Sequence, residues 1–371
     1  MSRPRSLAAL SLLIGLGVSG LLGEGILRGF AVVSPEFGQR VRSWDPLGIL
    51  IEPHGQLGFR QRPGAVFKYY NGTSAHTNGA GYRGVEVPVP KPAGVRRIIL
   101  LGGSTTHGWG VNDDETIAVF LESALSERDS SKSYEVVNLA FDGYDSYQLY
   151  ERLITDGRAL EPDVVVVNSG INDVRNARYH DLVDRDPRTM IWEQDLKRLR
   201  EQQRIGHPPL QYILKHYSYL LRMPSLVRGE IGRKKQFVKA VSLISPDADA
   251  ADNFIRNMSR IDSVAALTST PVLYSTPPSD LLTNRYPPDA VSSRSYWIGN
   301  AEVTQRYRDL LAMRLEAFVS AKKMAGRNVE YVRPEVPPTD FLDDAHLTPA
   351  GNEIVAKLFS EVIASMTDQT R

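Results

Sequence analysis

Val164-Val165-Val166-Val167-Asn168 is an unbroken, β-branched run with no polar alternation. A strand of this kind is buried on both faces, as inside a parallel sheet covered by helices. The same rhythm holds from Arg96 onward. Strand patterns at Ile98–Leu101, Tyr134–Asn138, Val164–Asn168, Pro271–Ser275 and Val329–Val332 alternate with helical patterns at Glu115–Ser126, Ser146–Leu160, Ala251–Leu267 and Ala301–Ala325. Thr348-Pro349 opens a last helix as N-cap and first-turn proline. Five strands in this order predict an α/β domain of three layers, α/β/α, with a five-stranded parallel sheet and right-handed crossovers.

Two regions stand outside that rhythm. Residues 34–95 are rich in Pro, Gly and aromatics and read as an irregular lead-in that packs on the main domain or spaces it from the membrane, with a turn-rich stretch from His76 to Gly84. Residues 175–250 crowd Arg and Lys among Trp192, Tyr212, Tyr217 and Tyr219, and read as a mostly helical insertion in the domain 96–371. A long loop with two Pro-Pro pairs is expected over 277–299.

At the N-terminus, Arg3 and Arg5 precede an uncharged apolar stretch, Leu7 to Gly23, which Glu24 and Arg28 interrupt before Val33. A basic start followed by an apolar run reads as an export signal or signal anchor. No Ala-x-Ala cleavage site follows, and snorkelling by Arg28 extends a run slightly short of the ~20 residues that span a bilayer. Residues 1–33 are therefore expected to be an uncleaved transmembrane signal anchor. It makes the membrane a partner and leaves the rest of the chain on the extracytoplasmic side.

Composition removes several classes of function. The formal net charge of +1 gives no global field for nucleic acid. The absence of Cys excludes disulfides, thiolate metal sites and Cys nucleophiles. No Gly-rich phosphate loop of the dinucleotide or P-loop type opens a helix, which disfavours a flavodoxin-like cofactor carrier. The acidic run Asn112-Asp113-Asp114-Glu115 reads as a helix N-terminus rather than a cation site. No metal and no cofactor are expected.

The chemistry gathers at strand ends. Gly102-Gly103-Ser104-Thr105 follows Ile98–Leu101 and places a hydroxyl at the carboxyl edge of the sheet, where open α/β folds build their sites. Asn138-Leu139-Ala140-Phe141-Asp142-Gly143-Tyr144 ends the second strand, and a glycine there presents its N–H without side-chain obstruction. After the third strand, Gly170-Ile171-Asn172-Asp173 sets an amide where it can donate to an oxyanion, with Asp173 bracing the loop. Asp343 precedes His346 by three residues in the loop before the last helix, so it can orient the imidazole. Asp344 is the competing carboxylate, expected to point away. His107 is weighed as an alternative base and left as a pocket residue at most; Trp109 and Tyr144 either line a pocket or pack the core.

In this order the four segments resemble the SGNH hydrolases, the GDSL-like lipase and esterase family, over roughly residues 96 to 366. The family's Ser, Gly, Asn and His correspond to Ser104, Gly143, Asn172 and His346, and its Asp-x-x-His block to Asp343–His346. The usual Gly-Asp-Ser-x reads Gly102-Gly103-Ser104-Thr105 here, which departs from the lipase subtype. The lead-in Asn78-Gly79-Ala80-Gly81-Tyr82-Arg83-Gly84 looks like that of membrane-tethered bacterial members. The resemblance implies a flavodoxin-like SGNH fold and a serine esterase in which Ser104, His346 and Asp343 are catalytic. Ser104, Gly143 and Asn172 would form its oxyanion hole. Its expected substrate is an acylated carbohydrate or lipid of the cell envelope. An O-acyltransferase using the same residues, or a non-catalytic binding protein of the same fold, are the alternative readings. Oligomeric state is not legible in the sequence.

Overall fold

The computed structural model describes residues 3–34, 37–38, 41, 51–69, 71–176, 210–224, 227, 248–281 and 301–368. An apolar helix comes first, α1 (Arg3–Val33), and its stretch Leu10–Val33 is long and apolar enough to cross a membrane. Where an irregular lead-in was expected, two short antiparallel pairs form. One joins β1 (Ile51–His54) to β2 (Gly58–Gln61) and the other β3 (Val66–Lys68) to β4 (Ser74–His76). Strands of three or four residues are too short to show a period of two in sequence.

The expected domain then unfolds in order: β5 (Val95–Gly102), the single turn α2 (Ser104–His107), α3 (Ile117–Arg128), β6 (Ser133–Asn138), α4 (Ser146–Thr155), β7 (Val164–Asn168) and α5 (Ile171–Asn176). Within the insertion, α6 (Leu210–Tyr217) and a further helical stretch over 219–224 are described. Apart from 218 and 227, the rest of 177–247 lies outside the described residues, as does 282–300 of the long loop. The domain closes with α7 (Ala248–Ala266), β8 (Val272–Ser275), α8 (Ala301–Met324), β9 (Val329–Val332) and α9 (Pro349–Asp368).

The five long-range strands pair in the order β6-β5-β7-β8-β9, all parallel, with Ile99 opposite Val137 and Val165. The valine run β7 is buried at every position, as its uniform composition requires. Alternate residues serve two cores. Ile98, Leu100, Val164, Val166 and Leu273 pack on α3 and α9 through Leu121, Leu125, Val355 and Phe359. Ile99, Leu101, Val165, Val167 and Tyr274 face α4, α7 and α8 through Leu149, Phe254, Met258 and Leu315.

Leu57, Phe59, Phe67, Ala75 and Tyr82 of the lead-in join that second core, so residues 57–82 are part of the domain's packing. Helix boundaries shift slightly from expectation. Asp113–Glu115 forms a separate 3₁₀ turn ahead of α3, and α4 stops at Thr155 before a second such turn, Gly157–Leu160.

Candidate active site

The carboxyl edge of the sheet collects the sequence-predicted residues. β5 ends at Gly102 and Ser104 opens α2 directly after it. A Cβ at 103 would lie 2.6 Å from Asn172 Nδ2, so a side chain there displaces that amide. At Gly102 a Cβ would collide with the Thr106 side chain and the Asn168 carbonyl. Where the usual Gly-Asp-Ser-x has its Asp, the Asn172 amide here occupies the space a side chain at 103 would take.

Opposite Ser104, the loop before α9 is drawn into a tight closure. Leu342 N donates to the His346 carbonyl at 2.7 Å, and Phe341 bridges to Leu347. Asp343 Oδ1 accepts the backbone N–H groups of Ala345 and His346, each at 2.9 Å, which fixes its carboxylate beneath the ring. Asp343 Oδ2 then lies 2.7 Å from His346 Nδ1, and His346 Nε2 lies 2.8 Å from Ser104 Oγ. Asp343, rather than the buried Asp344, contacts the imidazole.

A small cleft beside Ser104 is lined by Gly103, Tyr144, Gly170, Asn172 and Pro277. Asn172 Nδ2 donates to the Tyr144 carbonyl at 2.9 Å, which orients its amide from the loop after β7. Gly143 has a φ of 82°, a left-handed conformation at the tight turn that Tyr144 N closes on the Phe141 carbonyl at 3.1 Å. Tyr144 itself is core: its hydroxyl donates to the Phe59 carbonyl at 2.9 Å.

Burial alone would push the His346 imidazole down. The charge of Asp343 and its hydrogen bond, with Asp142 and Asp344 nearby, outweigh this and hold it above the ordinary imidazole range. A histidine of raised basicity in line between a carboxylate and a hydroxyl can take a proton from that hydroxyl.

Three features were not foreseen. His107 is wholly buried and does not line the cleft. Gln61 Nε2 donates to its Nε2 at 2.6 Å, which leaves Nδ1–H toward Asp142 Oδ1, 3.1 Å away. Full burial keeps this imidazole neutral, below its usual range. The Arg83 side chain, 1% exposed, donates to the carbonyls of His107 and Val111 at 2.7 Å each, to the Gly108 carbonyl, and to Asp113 Oδ1 at 3.2 Å. It therefore clamps the chain just after α2. Asp113 also holds His76 at 2.6 Å, and Asn112 with Glu115 forms a capping box, so the acidic run is structural. Trp109 lies over His346 with ring centroids 4.4 Å apart, and Tyr69 stands edge-on to Trp109 at 5.5 Å.

A family model describing the GDSL-like Lipase/Acylhydrolase family matches residues 100–354, which takes in all four segments. The chain belongs to this family. Members hydrolyse esters, and this GDSL-like protein is an ester-hydrolysing enzyme. Solved structures with a similar course include a putative acylhydrolase from Bacteroides fragilis, at 15% identity and TM-score 0.41, covering 76% of this chain and 92% of the other. A GDSL-like lipase from Bacteroides thetaiotaomicron matches at 16% identity and TM-score 0.38, covering 73% and 88%. An acetylxylan esterase from Geobacillus stearothermophilus matches at 15% identity and TM-score 0.36, covering 72% and 94%. No curated protein sequence matches the GDSL-like chain.

Proposed function

We propose that Ser104 is the nucleophile of a carboxylic-ester hydrolase, His346 its general base and Asp343 the carboxylate that orients the base. The observation that carries this reading is the unbroken line from Asp343 Oδ2 through His346 to Ser104 Oγ, at 2.7 and 2.8 Å. Ser104 Oγ attacks the ester carbon as its proton passes to His346 Nε2. The alcohol leaves with that proton, and an acyl-serine remains. Water, deprotonated by His346, then releases the carboxylic acid and restores Ser104.

The backbone N–H groups of Ser104 and Gly143 and the Asn172 amide stabilise the tetrahedral oxyanion. One such donor contributes ~3 kcal/mol to the transition state. In this reading the substrate is an O-acyl or O-acetyl ester on an envelope carbohydrate or lipid. α1 anchors the enzyme in the membrane with domain 96–371, including the insertion 175–250, on the extracytoplasmic side.

The test is hydrolysis of short- and medium-chain p-nitrophenyl esters by the full chain in detergent, beside Ser104→Ala. Activity that vanishes with Ser104 supports a serine esterase, and chain-length preference separates deacetylase from lipase. Equal activity in both proteins overturns the assignment of Ser104.

A further inference from the structure

α1 carries two charges in an otherwise apolar stretch, and a segment almost two hundred residues away engages both. Glu24 accepts from Ser218 Oγ at 2.8 Å and from the backbone N–H groups of Tyr219 and Leu220 at 2.9 Å, capping the helical stretch 219–224. Arg28 Nε donates to Glu24 at 2.8 Å, and its Nη2 donates to the Tyr217 carbonyl at 2.7 Å. Its guanidinium also lies over the Tyr219 ring, 4.6 Å from the centroid. Leu220 packs on Gly23, where an added Cβ would sit 3.6 Å from Leu220 Cδ2. Arg222 extends the joint by donating to the Val41 carbonyl at 2.6 Å.

The segment docked this way turns apolar side chains outward. Leu210, Leu214 and Tyr217 recur at intervals of four and three along one face of α6, Leu221 follows on the stretch 219–224, and the four are 68%, 48%, 71% and 45% exposed. A helix in water shows the opposite pattern. The neighbouring turns of α1 are likewise apolar and exposed, with Leu21, Leu22 and Ile26 at 77%, 63% and 70%.

Position along α1 decides what covers it. At 1.5 Å per residue, Glu24 lies ~28 Å along the helix from Arg5, close to the ~30 Å of a hydrocarbon core. With Arg5 at one boundary, the Glu24–Arg28 clamp falls at the other, where paired charges and half-immersed helices are both tolerated.

Resting on the reading of α1 as a retained anchor, we propose that residues 210–224 are a second membrane element. The segment lies in the lipid interface with the stripe Leu210, Leu214, Tyr217 and Leu221 among the acyl chains, and Glu24 and Arg28 lock it to the anchor. The enzyme thereby meets the bilayer through a helix crossing it and two short helical stretches lying on it.

The chain has no Cys, so single-cysteine reporters need no background removal. Full-length Leu214→Cys and Leu221→Cys, with Val85→Cys as an exposed control, are labelled with an environment-sensitive fluorophore and reconstituted in phosphatidylcholine vesicles. The expected result is a blue shift and at least twofold quenching by shallow nitroxide lipids at 214 and 221, with neither at 85. Labels at 214 and 221 as watery as at 85 overturn the proposal. A blue shift without lipid quenching also overturns it, because it places a protein partner or second copy on the stripe.

Treatment of the Gly23→Cys/Leu220→Cys pair in the same vesicles with a short bis-methanethiosulfonate cross-linker is expected to give an intramolecular link, and no cross-link overturns the clamp. Carbonate extraction separates the two levels. Loss of the whole chain from the membrane fails the anchor reading, whereas retention with watery labels fails this inference alone.

Discussion

Thr105 Oγ1 donates to the Ala345 carbonyl at 3.0 Å and so ties the residue after Ser104 to the residue before His346. The two lie 240 positions apart and both are buried. The bond sets the spacing of a hydroxyl and an imidazole delivered by opposite ends of the domain. Thr105→Val keeps the shape and removes the donor, leaving a buried carbonyl unsatisfied at a cost of ~1–3 kcal/mol. We expect kcat to fall about tenfold or more with KM nearly unchanged, because small misplacements of reacting groups are costly. Steady-state kinetics on a p-nitrophenyl ester checks this; a change confined to KM would contradict it.

Arg83 acts on the same segment from the lead-in. Three carbonyls and Asp113 share its buried guanidinium, and a single ammonium cannot reproduce that fork. Arg83→Lys and Arg83→Met should each destabilise the fold by ~3 kcal/mol or more in urea unfolding, since buried acceptors lose their donors. Unfolding midpoints within error of the parent would show that water replaces the clamp.

The fold was largely legible in the sequence. The valine run, the strand–helix alternation and Thr348-Pro349 each carry their own local physics. Three of the four candidate segments follow a strand at the carboxyl edge, and the fourth, Asp343–His346, lies in the loop ahead of α9, so each had a local sequence context to mark it. Other relationships left no local signal. His107 sits three residues after Ser104, yet its environment is set by Gln61 and Asp142, contacts of long range that no spacing rule reports. Arg83 lay within a stretch noticed for its turn residues. Asn78 builds that loop, its Oδ1 accepting Ala80 N at 3.0 Å and Tyr82 N at 2.9 Å, and the loop aims Arg83 inward. The short strands β1–β4 lacked the length to declare a period.

Under the mechanism proposed above, activity depends on pH through His346, which is neutral when it accepts the Ser104 proton. Its imidazole is held up by surrounding carboxylates, so kcat/KM should fall as pH drops through a value above the ordinary imidazole range. Asp343→Asn removes the largest of these anionic influences. It should move the acid limb to lower pH while reducing kcat by ~10⁴-fold through loss of orientation. Asp142→Asn removes a nearby charge without touching the ring's hydrogen bond. It should shift the acid limb down with a far smaller loss on the plateau. An acid limb unmoved in both variants would remove His346 as the titrating group.

Gly103 and Asn172 make a coupled pair. Since a Cβ at 103 would lie 2.6 Å from Asn172 Nδ2, Gly103→Ala must displace the amide. With Asn172 as the oxyanion donor proposed above, Gly103→Ala and Asn172→Ala should each cost ~10²–10³ in kcat. The double variant should be little worse than either alone, because the second change removes a group already misplaced. Multiplying losses in the double-mutant cycle would mean that Gly103 acts on something other than Asn172.

Asp173, the residue after Asn172, should give the enzyme a pH-dependent stability. Its carboxylate accepts Ser146 N at 3.1 Å and Ser169 Oγ at 3.2 Å. Burial and the nearby charge of Asp145 nevertheless push it up to about 7. An acid that is harder to ionise in the folded state holds its proton there while the unfolded chain has already lost it. Between the ordinary carboxylate value and about 7, the folded protein thus binds more protons than the unfolded one, and stability falls as pH rises. Thermal unfolding of the parent should show Tm declining from pH 5 to pH 7 and then levelling. Asp173→Asn carries no charge to bury, so its Tm should decline less over that interval and exceed the parent's relative to pH 5. Parallel Tm profiles for the two proteins would show that Asp173 stays ionised throughout, with Ser146 and Ser169 outweighing Asp145.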